Sequence, residues 1–158
     1  MNVNTEAMSK QAGKLPAAAA FGFAIVAAVL ATMIDYVFEA IVHLGGYMWY
    51  VATALCFGGA GFGAGLMTKA PKMGAYTAVG IGAALYAVLT IVLYVVVFSG
   101  TVGDAIVPAV INFAIALGTG LAGATKGVQQ REHALAAAGQ AAPGQGAPGA
   151  PGYRPPGM

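Results

Sequence analysis

Residues 15–44 read LPAAAAFGFAIVAAVLATMIDYVFEAIVHL, a run interrupted only by the ionisable side chains Asp35, Glu39 and His43. A helix of about 20 mostly apolar residues crosses the roughly 30 Å of hydrocarbon in a bilayer. This stretch therefore predicts a transmembrane span with residues to spare. Three further runs meet the same length, at 47–67, 74–98 and 105–125. Gly45-Gly46, Ala70-Pro71-Lys72 and residues 99–103 separate them with the punctuation expected between helices. No run alternates apolar and polar residues, which excludes a transmembrane β-barrel. The short connections make consecutive spans antiparallel. The expected fold is an all-α integral membrane protein, a four-transmembrane-helix antiparallel bundle at 15–126. Residues 1–14 precede it, and a Gly/Pro/Ala-rich C-terminal tail at 127–158 follows, disordered from Gly139 onward.

Composition supports the same class. Of 158 residues, 59% are hydrophobic and 8% are charged, against about 25% charged in soluble domains. Seven Lys and Arg with five Asp and Glu cannot cover the surface of a soluble enzyme. Nor does a net charge of +2 supply the basic stripe that nucleic acid requires. Cys56, the sole cysteine, excludes an internal disulfide and a cysteine-based zinc site. Within an apolar run it reads as a small hydrophobe.

Every positive residue falls on one side of a four-span arrangement. Lys10 and Lys14 precede the first span, Lys69 and Lys72 join the second to the third, and Lys126, Arg131 and Arg154 follow the fourth. The two opposite loops hold no Lys or Arg. The positive-inside rule makes the charged side cytoplasmic and places both termini there, in an inner or plasma membrane. A cleaved signal peptide ending at Val29-Leu30-Ala31 is the competing reading of the N-terminus. It is disfavoured because h-regions run only about 7–15 residues and cleavage would leave an apolar new start.

Asp104 reads as the N-cap of the fourth span, which puts Pro108 in or near the first turn, where a missing N–H costs little. Beyond the span a short helix is expected through Arg131-Glu132. From Gly139 to Met158, 11 of 20 residues are Gly or Pro, a composition with almost nothing to bury. Pro148 and Pro151 form one P-x-x-P there, a weak docking signal.

The cluster Gly58-Gly59-Ala60-Gly61-Phe62-Gly63-Ala64-Gly65 contains the G-x-G-x-x-A form of a dinucleotide loop. It lacks the preceding strand and the acid about 20 residues on, so no nucleotide site is expected. The spacing instead suits close helix packing, since Gly59 with Gly63 and Gly61 with Gly65 each form G-x-x-x-G. Ala116, Gly120 and Ala124 offer a matching surface on the fourth span. Spacing leaves open whether these glycines face another span or another copy of the chain.

Asp35, Glu39 and His43 lie at i, i+4 and i+8, one polar stripe on one helix face. Intramembrane ionisable groups avoid lipid and pair with something. Trp49, with Tyr47 and Tyr50, marks the outer interface more sharply than Lys14 marks the inner one. With that anchor Asp35 lies roughly 13 Å and Glu39 roughly 7 Å inside the core, with His43 at the rim. Asn112 and Thr90 fall about 12 Å deep, and Thr53 about 9 Å. Asp35, Glu39, His43, Thr53, Thr90 and Asn112 thus form a polar layer, with Tyr50 and Tyr94 above it. Asn112 is the nearest expected donor to Asp35, because its depth matches and its amide carries two N–H groups.

The layer supports two functions of different class. Polar contacts between helices hold bundles together, which favours a non-enzymatic, self-associating bundle or an accessory subunit of a membrane complex. The rival is a small proton- or cation-coupled transporter or channel with Asp35 and Glu39 as the titrating pair. A metal site from two carboxylates and one imidazole would need ligands from a second copy. No catalytic residue, cofactor or resident metal is expected. The partners expected are the lipid bilayer and another membrane protein or a second copy, with no nucleic acid. Reporter fusions after Gly46 and after Gly103 should read outside, and one after Lys72 inside. The reverse pattern would refute the four-span topology.

Overall fold

The computed structural model describes residues 11–38 and 48–140. Four long helices account for most of them: α1 (Ala19–Val37), α2 (Met48–Met67), α3 (Lys72–Val92) and α4 (Val102–Gln140). All four are long and apolar enough to cross a membrane. Their packing inverts the pattern of a soluble bundle. The interior is built from alanine, including Ala20, Ala24, Ala28, Ala31, Ala83 and Ala116, while Leu55 and Met33 are 72% and 61% exposed. Soluble proteins do the opposite, keeping large aliphatics in and small or polar groups out. The tail at 141–158 lies outside the described residues, as do Glu39, His43 and Tyr47.

The order of the helices around the bundle is α1, α2, α4, α3. α1 packs on α2 and α3, α4 packs on the same two, and α2 and α3 barely touch. Consecutive helices run antiparallel: Leu15 pairs with Thr68 while Phe23 meets Gly63, and Tyr76 meets Thr125 while Thr90 meets Asn112. The alternate helices therefore lie parallel and side by side, α1 with α3 and α2 with α4.

Glycine makes the α2–α4 contact possible. A Cβ on Gly61 would overlap the Gly120 carbonyl oxygen, and one on Gly123 or Gly127 would overlap the carbonyl of Gly58 or Phe62. A Cβ on Gly65 would stand 2.5 Å from the Ala124 oxygen. Where small residues remove the side chains, backbones touch directly and gain dispersion contacts over their whole length. Gly61, Gly65 and Gly120 pack between helices of the same chain. Gly63 turns to α1, where its position faces the Phe23 ring. Gly59, expected to pack, points out of the bundle with nothing within 4 Å. The i, i+4 pairing of Gly59 with Gly63 is real in sequence, but α2 already spends its inward face on Gly61 and Gly65.

Several helix ends differ from the run bounds read in the sequence; α3 starts at Lys72 and α4 continues to Gln140, well past residue 125. α1 starts at Ala19 and not at Leu15, because residues 13–15 run along the end of α2 instead. The last carbonyls of a helix have no intrahelical partner, and here several find one outside it. The Thr68 hydroxyl donates to Ala64, Gly13 N–H donates to Leu66 at 2.9 Å, and Leu15 N–H donates to Met67 at 2.9 Å. Arg131 Nη1, from α4, donates to the carbonyls of Thr68 at 2.5 Å and Ala70 at 2.7 Å. Gly13 takes a positive φ of 64° to enter this arrangement.

At the other end of α4, Thr101 and not Asp104 is the cap. The Asp104 carboxylate accepts from Thr101 N–H at 3.2 Å and from its hydroxyl at 2.7 Å. Asp104 N–H returns a bond to Thr101 Oγ1 at 3.3 Å. This reciprocal pair is a capping box with Asp as its acid. The helix consequently begins before Asp104, and Pro108 falls in its second turn, where no amide is available for the Asp104 carbonyl.

α3 widens over Leu93–Val97 into a π-helical turn. Phe98 N–H reaches Leu93 O at 3.3 Å, Ser99 takes a left-handed φ of 55°, and Gly100 N–H closes on Tyr94 O at 3.0 Å.

These contacts set the tolerance of individual glycines. Gly61→Ala should destabilise the chain by about 1–3 kcal/mol, since the added methyl meets rigid backbone. Gly59→Ala should be neutral or stabilising by up to about 1 kcal/mol, the helix-propensity gain. Thermal unfolding in detergent, followed by circular dichroism, distinguishes the two.

Candidate functional site

Each helix carries a buried stripe of small residues, and on each the stripe runs into a polar side chain. On α1 it passes from Ala20 through Ala24, Ala28 and Ala31 to Asp35. On α3 it passes from Ala75 through Ala78 or Val79 and Gly82 or Ala83 to Tyr86 and Thr90. Asn112 lies between buried Ala109 and Ala116 on α4, and Thr53 precedes buried Phe57 on α2. The 3.6-residue period that turns the alanines inward turns these groups inward as well. Asp35, Thr53, Tyr86, Thr90 and Asn112 are each no more than 1% exposed.

Tyr86 is the hub. Its hydroxyl donates to Asp35 Oδ2 at 2.5 Å and lies 2.8 Å from Thr53 Oγ1. A phenol has one proton. With that proton committed to Asp35, Thr53 is the donor to Tyr86. α1, α3 and α2 are thereby joined through one oxygen. The fourth helix joins one turn away: Asn112 Nδ2 donates to Thr90 Oγ1 at 3.4 Å, and Thr90 donates to the Tyr86 carbonyl at 3.0 Å. Asn112 Oδ1 meets no donor among the described residues. The Tyr86 ring packs 5.5 Å from that of Phe57, and half-buried Cys56 flanks the same cluster.

The structure thus brings Asp35, Thr53, Thr90 and Asn112 together, but with different partners from those expected. Asn112 donates to Thr90 and not to Asp35, and among the described residues Tyr86 donates to Asp35. Matching residues by the depth of their Cα atoms passes over a tyrosine, whose hydroxyl stands far from its own Cα. The available signal was chemical: a phenol in the middle of an apolar run needs a partner when buried. Glu39 and His43 lie outside the described residues. Among those described, no group of three His, Cys, Asp or Glu side chains gathers as metal ligands do.

Above the polar cluster the aromatic residues stack on one another. Trp49 lies 5.2 Å from Tyr50 and 6.5 Å from Tyr94, Tyr94 meets Phe98 edge-on at 5.8 Å, and Phe98 stacks on Tyr36 at 6.5 Å. Below it the interior closes on Ala27, Ala28, Ala31, Ala83 and Ala116, which pack around Phe57. The cluster ties four helices together, with apolar packing on its inner side. No family model, curated protein or solved structure matches this chain.

Removing the hub hydroxyl leaves both Asp35 and Thr53 short of a partner. Tyr86→Phe should cost about 1–3 kcal/mol, the penalty for stranding buried polar groups. Because Thr53 acts through the same oxygen, Thr53→Ala should cost less in a Tyr86→Phe background than in the native one. A double-mutant cycle on thermal stability in detergent should give a coupling of about 0.5 kcal/mol or more.

Proposed function

We propose that this chain is a non-enzymatic membrane protein whose four helices span a bilayer with both termini cytoplasmic. It serves as a self-associating bundle or as an accessory subunit of a membrane complex. The interhelical bonding of the polar cluster carries this reading. The Tyr86 hydroxyl bonds Asp35 on one helix and Thr53 on another, as interhelical polar ties do in lipid, where each is worth about 0.6–2 kcal/mol. The small-residue interior supports it further, because lipid offers no hydrophobic drive for helix association and close backbone contact takes its place.

The rival reading, a proton or cation path through Asp35, would need polar groups leading from the cluster toward the lysine-bearing end. That part of the interior is filled instead by Ala20, Ala24, Ala64, Ala70 and Ala78, with Phe23 against them. Purified protein in liposomes should therefore give proton and cation flux equal to protein-free vesicles, and Asp35→Asn should leave it unchanged. Flux that falls in Asp35→Asn would overturn the assignment. The protein should also remain in the membrane pellet after extraction at high pH.

A further inference from the structure

The end of the bundle opposite the aromatic stack gathers four exposed lysines, Lys14, Lys69, Lys72 and Lys126. Among the described residues none of them forms an ion pair. Arg131, a further cation there among the described residues, donates to the carbonyls of Thr68 and Ala70. Contacts within the fold hold the lysines together. Lys69 N–H donates to Leu15 O at 2.9 Å, which seats Lys14 beside the α2–α3 connection. The Tyr76 hydroxyl lies 2.5 Å from Thr125 Oγ1, which joins α3 to α4 and brings Lys72 and Lys126 to one corner. Lys72 Nζ stands 5.7 Å from the centre of the Tyr76 ring. Four like charges collected in this way repel one another, and an anion relieves that repulsion.

The surroundings of the corner say which anion. Met73, next to Lys72, is 71% exposed, and exposed Ala122 lies one turn before Lys126 on α4. Cationic groups thus border directly on apolar surface, the layout of an amphiphile with a charged head and a hydrocarbon body. We propose that the corner formed by Lys72, Tyr76 and Lys126, extended along the rim by Lys14 and Lys69, binds the headgroup phosphate of an acidic phospholipid in the facing leaflet. Its acyl chains lie along the exposed faces of α3 and α4. The proposal rests on the reading that the four helices span a bilayer. The high-pH extraction tests that reading separately.

Full-length protein in detergent is mixed with phosphatidylglycerol, phosphatidylcholine or inorganic phosphate, and bound molecules are counted by native mass spectrometry. Phosphatidylglycerol should be retained in preference to phosphatidylcholine. Its occupancy should fall about fivefold in Lys72→Gln and by a similar factor again in Lys72→Gln/Lys126→Gln, the loss expected for one surface charge each time. Lys72→Arg/Lys126→Arg, which keeps both charges, should retain it. Equal retention of the two lipids, or unchanged retention in the double Gln variant, would overturn the proposal. Displacement of phosphatidylglycerol by inorganic phosphate would overturn the assignment to lipid.

Discussion

The backbone contact between α2 and α4 decides the rest of the arrangement. Two helices that pack with glycine against carbonyl occupy far less width than two packed through side chains. Gly61, Gly65, Gly120, Gly123 and Gly127 all lie in that contact, and α2 and α4 run in the same direction within it. Helices two apart in sequence are therefore side neighbours, while α2 and α3, joined by a short connection, are pushed to opposite corners. α1 fills the remaining place and touches α3 through Ala24 and Gly82. The polar cluster follows from this geometry. Thr53 and Asn112 ride on the α2–α4 pair, Asp35 and Tyr86 ride on α1 and α3, and the hub hydroxyl of Tyr86 bridges the two halves.

What was legible in the chain was whatever follows from local rules. Four long apolar helices follow from run length, and the inward face of Asp35 follows from the alanines at its own helical period. The side-by-side pairing of parallel helices was not legible, because glycine spacing states which face is narrow without saying which helix meets it. Gly59 illustrates the limit: it shares its spacing with Gly63 and faces away from every other helix. Tyr86 illustrates another. Its aromatic ring reads as apolar in any hydropathy count, and only its burial shows that one oxygen governs three helices.

Local capping chemistry explains the displaced boundaries. Thr101 and Asp104 each satisfy the other's backbone donor, so the pair starts a helix earlier than Asp104 alone would. A reading that fits the best single capping residue misses a box whose first member precedes it. The same accounting of orphan groups explains why residues 13–15 do not join α1. Gly13 and Leu15 are more useful as donors to the open end of α2 than as the first turn of α1.

The Arg131 contact has a consequence for the order in which the molecule is made. The carbonyls of Thr68 and Ala70 leave the ribosome some sixty residues before the guanidinium that closes them. The donors from Gly13 and Leu15 are already present when α2 appears, so its end is half finished from the outset. The other half waits until all four helices have been synthesised and the last has extended past its apolar stretch. A nascent chain halted before residue 131 carries a helix terminus with open acceptors, and completion of the final helix is the event that withdraws them from water.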